Sequence, residues 1–176
     1  DPDGDALTLS DVSLPAHGRA TIENGRVRYT PDANYFGPDS LSYTVSDGQA
    51  TATAAVSIKV NAANDWPTAT KDSASVDEDA SLLIDVLAND TDVEGDPLRL
   101  SGVTLPAHGQ AVIENGAVRY TPAANFFGRD SFTYTVTDNK DKSTAIVTVD
   151  VQPIDDAPVA RVDSRTTRED QSVLIS

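Results

Sequence analysis

Self-similarity constrains this chain before any single residue does. The segment Leu14-Pro-Ala-His-Gly18 returns as Leu105-Pro-Ala-His-Gly109, an offset of 105 − 14 = 91 residues. The match then runs on without a gap: Ile22-Glu-Asn-Gly25 returns as Ile113-Glu-Asn-Gly116, Val27-Arg-Tyr-Thr-Pro31 as Val118-Arg-Tyr-Thr-Pro122, and Tyr43-Thr-Val45 as Tyr134-Thr-Val136. Roughly half of the overlapped positions are identical, well beyond chance. A period of this length is a whole domain, so each unit owns a core and the array is a string of beads. Apolar alternation stops and proline intervenes at Asn61 to Pro67 and again at Gln152 to Pro158, which marks two linkers. The chain therefore divides into residues 1–64, a unit lacking its first two strands, residues 65–154, a complete unit, and residues 155–176, the first strands of a further one. With no initiator methionine or signal peptide, it reads as a piece of something longer.

Within the complete unit, period-two alternation predicts strands at Thr68 to Val76, Ser81 to Val86, Leu98 to Leu105, Ala111 to Ile113, Val118 to Tyr120, Ser131 to Thr137 and Thr144 to Val151. The fourth and fifth join through Asn115-Gly116, a pair that tolerates the positive φ of a two-residue hairpin. Seven short strands in one period predict an all-β chain of tandem seven-stranded immunoglobulin-like Greek-key sandwiches.

Charge removes several functional classes. Acidic residues number 28 against 13 basic, a net charge of −15, so phosphate backbones and anionic membranes repel the chain and nucleic acid is excluded as a partner. No apolar run approaches the roughly 18 residues of a membrane span, which excludes membrane insertion by a helix. Cysteine is absent and histidine occurs twice, leaving no disulfides, no thiolate metal sites and little imidazole chemistry. His17 and His108 recur in register at strand-ending turns, which predicts turn or packing roles. No strained nucleophile turn accompanies them, and the chain reads as a non-enzyme.

Of the acids, 23 are Asp and only 5 are Glu. Asp favours turns over helices, and its short carboxylate suits compact oxygen cages for calcium. Asp90-Thr-Asp92-Val-Glu94-Gly95-Asp96 has the alternation of a calcium loop. Its twelfth position is Ser101 rather than Glu, so it is no EF-hand. Further acids gather at strand ends, at Asp77-Glu78-Asp79, Asp155-Asp156, Asp130 and Asp138. Crowded carboxylates cost stability unless a cation neutralises them, which predicts Ca2+ at the unit junctions.

The string Asn89-Asp-Thr-Asp-Val-Glu-Gly-Asp-Pro-Leu98, then Leu-Pro-Ala-His-Gly, then Tyr120 through Asp138, closed by Asp155-Asp-Ala-Pro158, resembles the cadherin-like tandem repeats of large bacterial surface and secreted proteins, including RTX-type adhesins. The resemblance implies cadherin-like sandwiches, export to the extracellular space or bacterial cell surface, and calcium at the joints. It also implies cell-surface or biofilm adhesion, with neighbouring repeats of the same chain as partners. Carried over residue by residue, it places Asp39, Asn61, Asn64, Asp65, Asp90, Asp92 and Asp138 around the first junction and Glu78, Asp130, Asp155 and Asp156 at the second. The first linker departs from the cadherin form in beginning with Asn61 and carrying Trp66, which is expected to pack between units. Paired aromatics at Tyr35-Phe36 and Phe126-Phe127 leave a polysaccharide-binding module as the alternative. The incomplete ends predict strand exchange between copies, head to tail, or folding back within one chain.

Overall fold

A computed structural model describes residues 2–158, 160, 162–172 and 174. Among these the chain contains twelve strands and no helix. They are β1 (Thr8–Val12), β2 (Gly18–Glu23), β3 (Arg26–Pro31), β4 (Gly37–Ser46), β5 (Thr51–Val60), β6 (Asp72–Asp77), β7 (Leu82–Ile84), β8 (Arg99–Val103), β9 (Gly109–Glu114), β10 (Ala117–Pro122), β11 (Gly128–Thr137) and β12 (Lys142–Gln152). The second unit holds seven, in two open sheets ordered β6-β12-β11-β8 and β7-β10-β9. β6 joins β12 in parallel, from Asp72↔Val147 to Asp77↔Gln152, and every other pairing is antiparallel. All seven predicted strands are present. The first begins four residues late, because Thr68 is taken by an isolated bridge to Thr91 that pins the linker side of the unit.

Alternation builds the core. Phe132, Tyr134 and Val136 of β11 face inward against Val147, Val149 and Val151 of β12, while Val118 and Tyr120 cover them from the other sheet, all nearly inaccessible. The β9–β10 turn has φ of 52° at Asn115 and 83° at Gly116, the left-handed pair that a two-residue hairpin requires. Gly109 is fixed by contact rather than by φ: a Cβ there would meet the Thr121 carbonyl oxygen at 2.6 Å and the Tyr120 ring at 3.0 Å.

The first unit repeats this plan in part, with sheets β1-β4-β5 and β2-β3. No counterparts of β6 and β7 cover β5 and β3 among its described residues, and each keeps an open edge. Leu41 is its one buried large hydrophobic side chain among those residues, and Val56 and Ile58 are only half-buried. Residues 162–172 correspond by the period to β6 and the turn after it, yet they run exposed and join no ladder; folding back onto β3 or β5 does not occur among the described residues. Val173, Ile175 and Ser176, which complete the expected front strands, lie outside the described residues.

Val147 and Val56 occupy one register position in the two units, fully buried in the second and half-buried in the first. Val147→Ala is expected to destabilise its unit by about 2–3 kcal/mol and Val56→Ala by less than about 1 kcal/mol, measured by urea titration with unit-resolved hydrogen exchange.

Candidate functional site

The acidic residues separate into three groups by what they bond. Asp39 and Asp130 form the first, at equivalent positions on β4 and β11. The Asp130 carboxylate is 4% exposed and receives the Ala107, His108 and Ser131 amides at 3.1, 2.9 and 2.8 Å and the Tyr120 hydroxyl at 3.0 Å. Asp39 repeats this with Ala16, His17, Ser40 and Tyr29. Burial alone pushes the Asp39 carboxyl up, but these donors outweigh it and hold it below the ordinary range. Tyr29 is pushed up to about 12 by desolvation and by its bond to Asp39. Both carboxylates thus pin the Pro-Ala-His-Gly turn within their own unit. The histidines pack there as well, His108 stacked on Phe126 at 4.3 Å and His17 on Tyr35 at 4.1 Å.

The second group surrounds Asp90. Its Oδ1 accepts the Thr70 amide at 2.8 Å and lies 2.9 Å from the Tyr134 hydroxyl. Beside it, the Asp72 carboxyl is raised by desolvation first and by the Asp90 charge second, and its Oδ2 is buried without a partner. Asp90 therefore ties the start of the unit to β11.

The third group brings the first linker onto the second unit. Asp138, directly after β11 and 3% exposed, accepts the Asp141 and Lys140 amides on Oδ1 at 2.6 and 2.7 Å. Its Oδ2 accepts the Asn64 side-chain amide at 2.9 Å, and that same amide lies 2.9 Å from Asp141 Oδ2. The Asp138 carboxyl is held low chiefly by the Asp141 amide, against the opposing effect of burial. The Asp65 amide donates to Glu94 Oε2 at 2.9 Å. Asp92 closes the loop: Oδ1 accepts the Glu94 and Asp96 amides at 3.0 and 2.9 Å, while Oδ2 is buried with no partner. Lys140 Nζ bridges Asn64 Oδ1 at 2.8 Å and Asp96 Oδ2 at 3.1 Å.

Of the residues chosen from sequence, the structure brings Asn64, Asp65, Asp92 and Asp138 into one region. Asn61 is exposed in the same linker and lines a cleft with Asp32, Asp65 and Glu94. Glu78 is buried at the opposite linker, where its Oε1 accepts the Ile154 amide at 2.8 Å, and Asp155 and Asp156 are exposed just beyond. Among the described residues, no three His, Asp or Glu side chains are gathered closely enough to hold a metal unaided. The oxygen-only donor set with an unpartnered buried carboxylate oxygen nevertheless suits a hard cation that also recruits amide and water oxygens.

Sequence reasoning missed Lys140 and Asp141, and took Glu94 and Asp96 only as loop members. The site residues were carried over from the cadherin pattern, in which Lys140 and Asp141 have no assigned part; at these two positions the first unit has Gln49 and Ala50. Trp66 corrects another expectation: it is 68% exposed, while its neighbour Pro67 is the linker residue that is fully buried.

A family model described as a bacterial Ig domain matches residues 1–59 and 64–151, the two repeat units. The protein GAMETE EXPRESSED 2 of Arabidopsis thaliana is 40% identical over 73 residues, which is 42% of this chain; the chain spans only 8% of that protein. Human protocadherin-24 EC1-2 superimposes with a TM-score of 0.52 at 16% identity in one crystal form, covering 90% of this chain and 85% of that one. In a second structure of the same fragment the TM-score is 0.52 at 18% identity, over 88% and 85%. At these identities the likeness is one of fold.

The depressed carboxyls fix a pH response. Asp39 and Asp138 contribute stability that is complete above their unfolded values, near about 4, and is lost as pH falls through their lower folded ones. The urea midpoint is expected to hold from pH 7 to about 5 and to fall below about pH 4. Asp72 has the opposite sign, its penalty being present at neutral pH and relieved by protonation. Asp72→Asn is therefore expected to raise Tm at pH 7 by about 2–4 °C in a calorimetric scan.

Proposed function

The chain belongs to the bacterial Ig domain family, and from that premise we propose that it is a calcium-stiffened extender segment of an exported surface protein, serving cell-surface or biofilm adhesion rather than catalysis. Bacterial Ig-like domains usually lie in exported surface proteins, and no helix among the described residues is long and apolar enough to cross a membrane. The observation that carries the reading is the buried, unpartnered Asp92 Oδ2 in a carboxylate shell that also grips the linker through Asn64 and Asp65. Asp92 would take the ion on Oδ2, with amide and water oxygens completing the shell and Asn64, Glu94, Asp96, Asp138 and Asp141 drawn in around it. Bound calcium would neutralise the crowded acids and add to the hold that the Asn64 and Asp65 hydrogen bonds already give the linker. Neighbouring repeats of the same chain are the partners such a joint needs.

A polysaccharide-binding reading draws its support from Phe127, which is 61% exposed, and from Phe36 at 42%. Phe126 is occupied by His108, so the aromatic platform reduces to one ring per unit. That favours the extender.

Calorimetric titration of the chain with calcium is expected to show saturable binding, weakened by about tenfold or more in Asp92→Asn, a carboxylate ligand exchanged for an amide. Small-angle scattering is expected to give a narrower, longer distance distribution with calcium than with chelator. No heat of binding together with one shape in both conditions defeats the reading.

A further inference from the structure

The first joint already contains a cation of its own. Lys140 Nζ sits between Asn64 Oδ1 and Asp96 Oδ2, at 2.8 and 3.1 Å, and so connects the linker, the loop after β7 and the loop after β11 through one charged group. Asp96, Asp138 and Glu94 raise its pKa, the hydrogen bond to Asp96 most of all. Asn64 complements it. Its amide nitrogen faces Asp138 and Asp141 while its carbonyl oxygen faces the ammonium, an arrangement no carboxylate could adopt, since a carboxylate has no proton to donate.

Both residues are particular to this joint. The position equivalent to Lys140 in the first unit is Gln49, and the position equivalent to Asn64 in the second linker is Asp155. By contrast the Arg28–Glu23 and Arg119–Glu114 ion pairs recur in the two units at the same 2.6 Å. The first joint therefore has one more positive charge than a strict copying of the repeat would give it, while the carboxylate lost at Asn64 is offset by the one gained at Asp141.

We propose that Asn64 and Lys140 form a built-in clamp that keeps the first linker docked on the second unit without a divalent ion, and that an entering ion must displace the Lys140 ammonium. The clamp itself is independent of calcium; only the displacement step rests on the calcium reading. Consecutive joints of one array then differ in their demand for metal.

The test uses the whole chain, Lys140→Gln (as at the equivalent position of the first unit), Lys140→Met and Asn64→Asp (as in the second linker). Trp66, the single tryptophan, reports linker mobility by fluorescence anisotropy, and limited proteolysis between residues 61 and 67 reports its docking. In chelator, the original linker is expected to be cleaved slowly, and the variants about fivefold faster, the scale of an exposed charge network. Calcium is expected to slow cleavage of the original linker further, to restore protection to Lys140→Gln and to bind that variant about fivefold more tightly. Circular dichroism melting confirms that each variant folds. Equal cleavage of all four chains in chelator, or an original linker that is loose until calcium is added, overturns the clamp. If the variants loosen but calcium affects none of them, the clamp stands and the calcium reading falls. If calcium protects all four equally and no variant loosens, the reading stands and the clamp falls.

Discussion

A carboxylate removed from water must find donors or a counter-ion, and this requirement organises the whole molecule. Asp39 and Asp130 meet it with three backbone amides and a tyrosine hydroxyl each, and in doing so fix the turn before β2 or β9 against β4 or β11. Asp138 meets it with two amides of its own loop and the side chain of Asn64. Asp92 meets it only on one oxygen. Asp72, beside Asp90, likewise leaves one oxygen without a partner, so full satisfaction marks the carboxylates that pin turns and partial satisfaction those at the end of the unit that receives the linker. Conformational specificity within each sandwich and adaptability at the linker thus come from one type of side chain in different states of pairing.

Much of the architecture was legible because it is periodic. The offset set the unit, alternation set all seven strands, and Asn115-Gly116 set the hairpin, since each rule depends only on neighbours a few residues apart. The candidate site was legible only in outline. A carboxylate near a strand end looks alike whether it faces a joint or its own turn, so Asp130 and Asp39 were grouped with metal ligands although their oxygens receive donors from within the unit. Asp90 and Asp92, two residues apart, were read as one pair, yet Tyr134 and Thr70 draw the first into the body and the second closes its own loop. Lys140 escapes because its contact with Asn64 spans 76 residues of chain, which no local rule reaches, and Trp66 is exposed while Pro67 beside it is buried.

The two units also differ in completeness of packing at identical residues. Val147 is sealed where Val56 is half open, and the difference follows from the strands beside them rather than from the side chains. Sequence identity between repeats therefore does not carry over into equal local stability, which is set by which edges of each sheet are covered.

The parallel ladder between β6 and β12 has a mechanical meaning. The first strand of the unit leads from one linker and the last strand leads to the next, side by side and in the same direction over six paired positions. Tension applied along the string slides these strands past each other instead of peeling them apart, so their hydrogen bonds share the load and must fail together. The weakest link under pulling is then displaced from the sandwich to whatever fastens the linkers.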